Sequence, residues 1–177
     1  TTMKNIPLLV RLLLWTSPAL LALGLGGCAT PPKPSAYTIE VTLDPALAGT
    51  SLQVDVVGAN ELSDLPKWQT YSVTEYWQPG NAFRRDARKA TLAFGRGRPD
   101  TQSLAVDDPK WAEWLRTGAL HLVLIADLPG PVSDQTGNAD PRRLILPLDR
   151  AAWDRKLQKL QIVVQESGLR LMTPRRP

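Results

Sequence analysis

The sequence predicts an all-β protein, a small antiparallel β-sandwich of about seven or eight strands with two short helices. Short apolar segments with strand-like alternation recur along the chain, and turn-forming residues separate them. The chain has 16 prolines in 177 residues, which favours short segments over long helices. An α+β domain with one antiparallel sheet is the alternative.

The first two strands are predicted over residues 37–43 and 52–57, where apolar and polar side chains alternate strictly. Asp44-Pro45 ends the first strand, and the connection over 46–51 contains Gly49, as expected for a sandwich loop. One face of each strand is therefore expected to be buried and the other exposed.

Further strands are predicted where apolar or β-branched residues cluster between turn signals, over 71–77, 90–94, 119–128, 143–148, 161–165 and 169–172. The run over 119–128 is apolar almost throughout, which is typical of a central strand buried on both faces. Pro147 cannot donate a ladder hydrogen bond, so its strand is expected at an edge. Glu166-Ser167-Gly168 joins the last two strands as a hairpin.

Two short helices are predicted, and a single helical turn is expected over 60–65. Asp107-Asp108-Pro109 is a typical helix start, and Trp111, Trp114 and Leu115 then share one face until Gly118. Asp149 caps a second helix, on which Trp153, Leu157 and Leu160 align. The three tryptophans on these helices are expected to cover a sheet edge.

No arrangement of residues in the sequence indicates catalysis, so the chain is not expected to be an enzyme. The one histidine, His121, lies within an apolar strand and is interpreted as a core or core-edge residue. Four residues in or beside the loop over 129–141 could gather around calcium: Asp127, Asp134, Asn138 and Asp140. Their spacing does not match the EF-hand pattern, so no metal site is predicted, nor any cofactor beyond a covalent lipid.

Two surface features could carry recognition. A basic stretch has six cations within 15 residues: Arg84, Arg85, Arg88, Lys89, Arg96 and Arg98. It could meet an anionic ligand, or it could be a solvated face. A cluster of aromatic residues, Trp68, Tyr71, Tyr76 and Trp77, could supply interface hot spots but is more typical of core packing.

The N-terminus carries the most specific signal. Lys4 and Arg11 precede an apolar run over 12–25, which ends in Leu25-Gly26-Gly27-Cys28. This pattern resembles the lipobox of bacterial lipoproteins, which implies cleavage before Cys28 and acylation of its thiol and new amine. Ala29, rather than Asp, follows the cysteine, which implies the outer membrane and its periplasmic face. Without Lys4 and Arg11, 19 basic and 17 acidic residues remain, which is no nucleic-acid-binding excess.

The expected organisation has four parts: a removed signal peptide over 1–27, a lipidated and proline-rich linker over 28–35, a β-sandwich domain over 36–173 and a basic tail over 174–177. The prolines of the linker, within Thr30 to Ser35, keep it extended.

The lipobox, the linker and the strand pattern together resemble the outer-membrane lipoproteins of type VI secretion systems (the TssJ-like family). The resemblance rests on three segments: the strand over 52–57 leading into Glu61-Leu62, the apolar strand over 122–126 and the hairpin over 160–171. The resemblance implies a structural role, in which the lipoprotein binds the periplasmic domain of an inner-membrane partner. The residues it suggests for partner binding are Leu47, Gly49, Glu61, Leu62, Leu65 and Trp68.

Two functions are therefore open. The first is a lipid-anchored assembly component that docks a secretion complex to the outer membrane. The alternative is a stand-alone lipoprotein that binds peptidoglycan or another anionic envelope ligand through the basic stretch.

Overall fold

The computed structural model describes residues 32–176, and the predicted signal peptide and lipobox, with Cys28, lie outside the described residues. Eight strands occur in this part of the chain: β1 (Thr38–Leu43), β2 (Leu52–Asn60), β3 (Lys89–Phe94), β4 (Thr101–Leu104), β5 (Ala119–Ala126), β6 (Arg143–Pro147), β7 (Lys159–Gln165) and β8 (Gly168–Leu171). Four short α-helices accompany them: α1 (Leu65–Thr70), α2 (Val73–Tyr76), α3 (Ala82–Asp86) and α4 (Pro109–Arg116). Three single 3₁₀ turns complete the set, at Pro45–Leu47, Gly137–Ala139 and Arg150–Ala152.

The strands form two four-stranded sheets, in the orders β4-β1-β7-β8 and β3-β2-β5-β6. The predicted β-sandwich is confirmed, as is the C-terminal hairpin of β7 and β8. One pair departs from the expected antiparallel arrangement, because β1 and β7 run parallel, with Thr38 opposite Lys159 and Leu43 opposite Val164. This pairing joins the first and the seventh strands in the middle of one sheet.

The main core lies between the two sheets. The apolar face of β1, predicted from its alternation, supplies Ile39 and Val41, and β2 supplies Val54 and Val56 from the other sheet. Burial of each such side chain contributes roughly 1.5–3 kcal/mol, which makes this layer the main stabilising element.

A second core covers the outer face of the β3-β2-β5-β6 sheet. Val123 and Ile125 of β5 point to this face and pack against residues of α1 and α2, among them Trp68 and Tyr76. Leu122 and Leu124 point to the main core. The prediction that this strand is buried on both faces is therefore confirmed.

The prediction of a strand over 71–77 is wrong, because the segment contains α2. The Ser72 hydroxyl oxygen accepts a hydrogen bond from the Glu75 N–H at 2.9 Å and so caps the helix. Strand propensity reflects how side chains pack on a sheet. Here the aromatic residues reach the sheet from helices that lie over it.

Three further expectations differ from the structure. A 3₁₀ turn (Arg150–Ala152) replaces the helix predicted after Asp149, and Leu160 belongs to β7. The strand β4 was not predicted, because Thr101, Gln102 and Ser103 are polar and only Leu104 is buried. More helical segments occur in the described range than the two predicted, since α1, α2 and α3 fill the connection between β2 and β3.

The predicted tryptophans of the helices lie in the main core rather than at a sheet edge: Trp111, Trp114 and Trp153. Trp114 fits there because β2 has Gly58 beneath it, where an added Cβ would lie 2.5 Å from Trp114 Cβ. The Asp108 cap of α4 is confirmed, with the Lys110 N–H donating to its carboxylate at 2.8 Å. Within residues 32–176, no helix is long and apolar enough to span a bilayer.

Candidate functional site

Different segments of the chain form the two ends of the sandwich. The chain enters at one end, which we call the tether end and define as residues 32–36, 147–158 and 172–176. Pro34 forms a bridge with Asp149, and the Thr38 N–H donates to Gln158 O at 3.0 Å. The C-terminal segment returns to the same place, where the Arg176 N–H donates to Ala152 O at 3.0 Å.

The last residues of the linker are bound to the domain. The Ser35 N–H donates to Leu148 O at 3.0 Å, and the Arg150 N–H donates to Lys33 O at 3.2 Å. The Arg150 side chain also donates through Nε to Ser35 Oγ at 2.7 Å. Only five residue steps separate Cys28 from Lys33, which limits that span to about 16–18 Å.

The opposite end, which we call the distal end, consists of residues 44–51, 95–100 and 165–168. The Asp44 N–H donates to Val164 O and the Leu43 N–H to Asp100 O, both at 2.8 Å, which brings these loops together. An added Cβ on Gly95 would lie 3.7 Å from Ser51 Cα. Ala46, Ala48 and Gly49 are exposed there, and Gly49 turns the chain with φ +74°.

The six residues suggested for partner binding do not form one surface. Leu47, Leu65 and Trp68 are buried, with relative exposures of 2%, 8% and 5%, because each packs into one of the two cores. Gly49, Glu61 and Leu62 are exposed, and Leu62 reaches 90%. They lie at opposite ends of the nine-residue strand β2, about 26 Å apart at 3.3 Å per residue.

The basic stretch is divided in the same way. Arg84, Arg85, Arg88 and Lys89 precede or begin β3, whereas Arg96 and Arg98 follow it at the distal end. Three of the six side chains pair with carboxylates: Arg84 with Asp55 at 2.8 Å, Arg85 with Asp86 at 2.9 Å and Arg88 with Glu113 at 3.6 Å. The Lys89 ammonium donates to Arg84 O at 2.7 Å. The stretch therefore does not form one continuous free cationic patch.

Sequence reasoning missed the buried carboxylate of Asp55, which was assigned to the polar face of β2. It is fully buried and accepts hydrogen bonds from Tyr76 Oη at 2.9 Å, Arg84 Nε at 2.8 Å and Thr91 Oγ1 at 2.6 Å. Burial, together with the Asp55 charge, raises the pKa of Tyr76, so its hydroxyl stays protonated and donates. The network fastens α2 and α3 to the sheet.

Arg84 contributes to this network on two further sides. Its guanidinium lies 4.2 Å from the centroid of the Trp77 ring, and Nη2 donates to Gln53 Oε1 at 2.6 Å. The aromatic cluster therefore belongs to the layer of helices α1, α2 and α3 over the sheet, which we call the helical layer. Trp68 and Tyr76 are buried in it, while Tyr71 and Trp77 are half-buried.

Two of the three acids weighed as calcium ligands have another partner, and the third, Asp127, is exposed. Asp134 and Asp140 both bind the buried Arg142, with Nη2 at 2.5 Å and 2.9 Å. Partial burial opposes ionisation of Asp134, but hydrogen bonds from Ser72, Thr74 and Arg142 outweigh it and lower its pKa to about 2. Asn138 binds the backbone of Ile145 instead. Within the described part of the chain, no group of three or more His, Cys, Asp or Glu residues could hold a metal ion.

His121 is half-buried in β5, where its register partners are Ala59 and Pro147. Its Nδ1 has no hydrogen-bond partner among residues 32–176. The histidine thus lies at the edge of the core, as predicted, without an orienting carboxylate.

Comparison with known proteins gives only distant likenesses. No protein-family model matches the chain, and no curated protein matches it. The solved structures that it matches include three from type VI secretion systems. The type VI secretion lipoprotein TssJ1 from Pseudomonas aeruginosa is 11% identical, with a TM-score of 0.45 over 82% of this chain and 100% of that one. Serratia marcescens Lip, described as a membrane-bound component of the type VI secretion system, is 15% identical, with a TM-score of 0.39 over 80% and 99%.

The third is a chain from a structure described as the type VI secretion protein TssM C-terminal domain from EAEC. It is 14% identical, with a TM-score of 0.49 over 77% of this chain and 99% of that one. The solved structures that the chain matches thus include type VI secretion lipoproteins, each with a TM-score under 0.5. At these scores, neither family membership nor a function follows from the matches.

Proposed function

We propose that the chain is a lipid-anchored envelope protein with a structural role, and that it docks a secretion complex to the outer membrane by binding a periplasmic partner domain. One observation supports the proposal: a sequence that resembles a lipobox ends at Cys28, five residues before Lys33, and residues 33–35 are hydrogen-bonded to one end of the sandwich. An anchor at that end leaves the distal loops free to meet a protein across the periplasm.

The anchor follows from the chemistry of Cys28. Transfer of a diacylglyceryl group to its thiol, cleavage before the residue and acylation of the new amine would leave a chain held by lipid alone. Each buried CH₂ contributes roughly 0.8 kcal/mol, so two or three acyl chains attach a protein stably. Ala29 at the next position supports sorting to the outer membrane.

The partner surface is proposed at the distal end. Of the exposed residues that the resemblance suggests for partner binding, Gly49 lies there, whereas Glu61 and Leu62 lie at the end of β2 nearer the tether end. Two of the distal loops are held to strands by backbone hydrogen bonds, Asp44 to Val164 of β7 and Asp100 to Leu43 of β1, so their ends are fixed before a partner binds.

The anchor is tested by metabolic labelling with a palmitate analogue. Wild-type protein should carry the label in the membrane fraction, and Cys28→Ala should lose it because the acceptor thiol is gone. Ala29→Ser serves as the matched control and should remain labelled. A label that persists in Cys28→Ala would refute the lipobox assignment. Ala29→Asp should shift the protein toward the inner membrane on a density gradient.

The partner surface is tested by pull-down from detergent-solubilised envelope. Ala48→Arg places a large cation on the distal end, and Leu62→Arg places the same side chain on an exposed site at the other end of β2. Recovery of an inner-membrane protein should be lost in Ala48→Arg and kept in Leu62→Arg. The reverse pattern would place the partner at the wrong end of the sandwich for this proposal.

Peptidoglycan binding through the basic stretch has less support, because Arg84, Arg85 and Arg88 already pair with carboxylates. Retention of the protein on purified sacculi, lost on Arg85→Ala with Arg88→Ala, would favour this alternative. Arg84 is unsuitable for that test, since its removal would disturb the buried Asp55.

A further inference from the structure

The tether end carries an unusual concentration of positive charge. Its three segments hold two carboxylates, Asp149 and Asp154, and six cations: Lys33, Arg150, Arg155, Lys156, Arg175 and Arg176. Their net charge is +4, whereas the whole of residues 28–177 has a net charge of only +2. The remainder of that chain is therefore net negative, and the positive charge is concentrated where the linker enters. All six cations are exposed.

Backbone contacts bring these cations together from three distant segments. The Arg150 N–H donates to Lys33 O at 3.2 Å, and the Arg176 N–H donates to Ala152 O at 3.0 Å. The Arg175 guanidinium lies 5.8 Å from the centroid of the Trp153 ring, next to the same 3₁₀ turn. The linker, the turn and the C-terminal segment thus share one surface, which we call the tether-end basic surface.

A cavity of about 430 Å³ opens in this surface. Arg150, Arg155 and Lys156 line it together with Tyr37, and Asp154 is the acidic residue in its wall. The Tyr37 hydroxyl is buried and has no hydrogen-bond partner among residues 32–176. A buried hydroxyl without a partner costs free energy, and an oxyanion is an acceptor that would satisfy it.

We propose that the tether-end basic surface binds the phosphate groups of anionic lipid headgroups in the bilayer that holds the anchor. The inference rests on the proposed anchor at Cys28, because five residues of chain can reach no farther than about 16–18 Å and would therefore hold this surface within that distance of the anchor. Exposed cations near an anionic bilayer are attracted within about one Debye length, roughly 8 Å at physiological salt. The lipid anchor and the cations together would orient the sandwich, with the distal loops away from the bilayer.

The test uses the mature chain without its lipid, residues 28–177 carrying Cys28→Ser, and vesicles of phosphatidylglycerol and phosphatidylethanolamine. We expect co-sedimentation that weakens as salt rises, and none with vesicles of phosphatidylcholine alone. Arg155→Gln with Lys156→Gln should weaken binding at least tenfold, at about fivefold for each cation near the surface. The matched control, Arg96→Gln with Arg98→Gln, removes the same charge from the distal end and should change binding less than twofold.

Equal loss in both double variants would overturn the inference, since binding would then depend on net charge rather than on this surface. Equal binding to neutral vesicles, or no binding to the anionic ones, would overturn it too. Circular dichroism of each variant verifies that the sandwich is intact. Palmitate labelling of the wild type distinguishes the two proposals. If the wild type is labelled but its lipid-free form does not bind anionic vesicles, the anchor is supported and the headgroup site is refuted.

Discussion

Replacing Arg84 by Ala tests whether the helical layer depends on one buried ion pair. Asp55 has no exposed side-chain surface, and Arg84 is 27% exposed, so their pair lies at the inner edge of the layer. Removal of one partner from a buried pair costs about 3–5 kcal/mol, because the other charge is left buried without compensation. Tyr76 and Thr91 would still donate hydrogen bonds to Asp55, so the expected loss of folding stability is about 3 kcal/mol, at the low end of this range.

The neighbouring residue provides the control. Arg85 lies in the same helix, α3, and pairs with Asp86, but both side chains are about two-thirds exposed, at 68% and 67%. An exposed pair of this kind contributes about 0–1 kcal/mol. Arg85→Ala should therefore change stability by less than about 1 kcal/mol, although it removes the same side chain from the same helix.

Urea unfolding followed by tryptophan fluorescence measures both variants, with the midpoint compared at constant slope. Adding Asp55→Asn to Arg84→Ala should recover part of the loss, since a neutral amide at this position leaves no unpaired charge. Two arginine variants of equal stability would refute the reasoning. The reasoning would also be refuted if the double variant lost more stability than the two single variants lose together.

Three further outcomes are expected. Gly58→Ala should destabilise the protein by about 1–3 kcal/mol in urea, because its Cβ would lie 2.5 Å from Trp114 Cβ, and an unchanged midpoint would show that α4 can move away freely. The pKa of Asp134, about 2, lies below its usual value, so the contribution of its carboxylate to folding stability is complete above about pH 4 and is lost as the pH falls toward 2. Asp134→Asn should therefore make stability less dependent on pH between about pH 4 and 2 in an acid-unfolding experiment, and an unchanged slope there would contradict this. Leu62→Ser should leave stability within about 0.5 kcal/mol by thermal unfolding, since Leu62 is 90% exposed, and a larger loss would mean that it packs against something.

The strands were predictable from the sequence where periodicity carried the signal. Alternation located β1 and the first part of β2, and the continuous apolar run located β5. The 71–77 segment was mispredicted because its aromatic and β-branched residues have high strand propensity. A local helix signal was present, since Ser72 caps the helix by accepting the Glu75 N–H. A second contact comes from Asp134, about 60 residues away, whose carboxylate accepts the Thr74 N–H at 3.0 Å. No local pattern contains that contact.

The candidate surfaces were less predictable than the strands. The lipobox is a contiguous motif, so the sequence alone indicates it. The division of the basic stretch depends on β3 carrying Arg96 away from Arg88, and the burial of Asp55 depends on helices that cover its face of the sheet. The tether-end basic surface joins residues more than 100 positions apart, which only the paired strands bring together.

The parallel pairing of β1 with β7 has a mechanical consequence. β1 is the first strand after the linker, and hydrogen-bonded neighbours flank it on both sides, β4 and β7. A force that pulls residue 35 away along the axis of β1 would load both ladders in shear, so that many hydrogen bonds must break at once. If a lipid anchor were attached to an edge strand instead, that strand could be separated from its single neighbour one hydrogen bond at a time. Tension applied at residue 35 would therefore act on two ladders of hydrogen bonds rather than one.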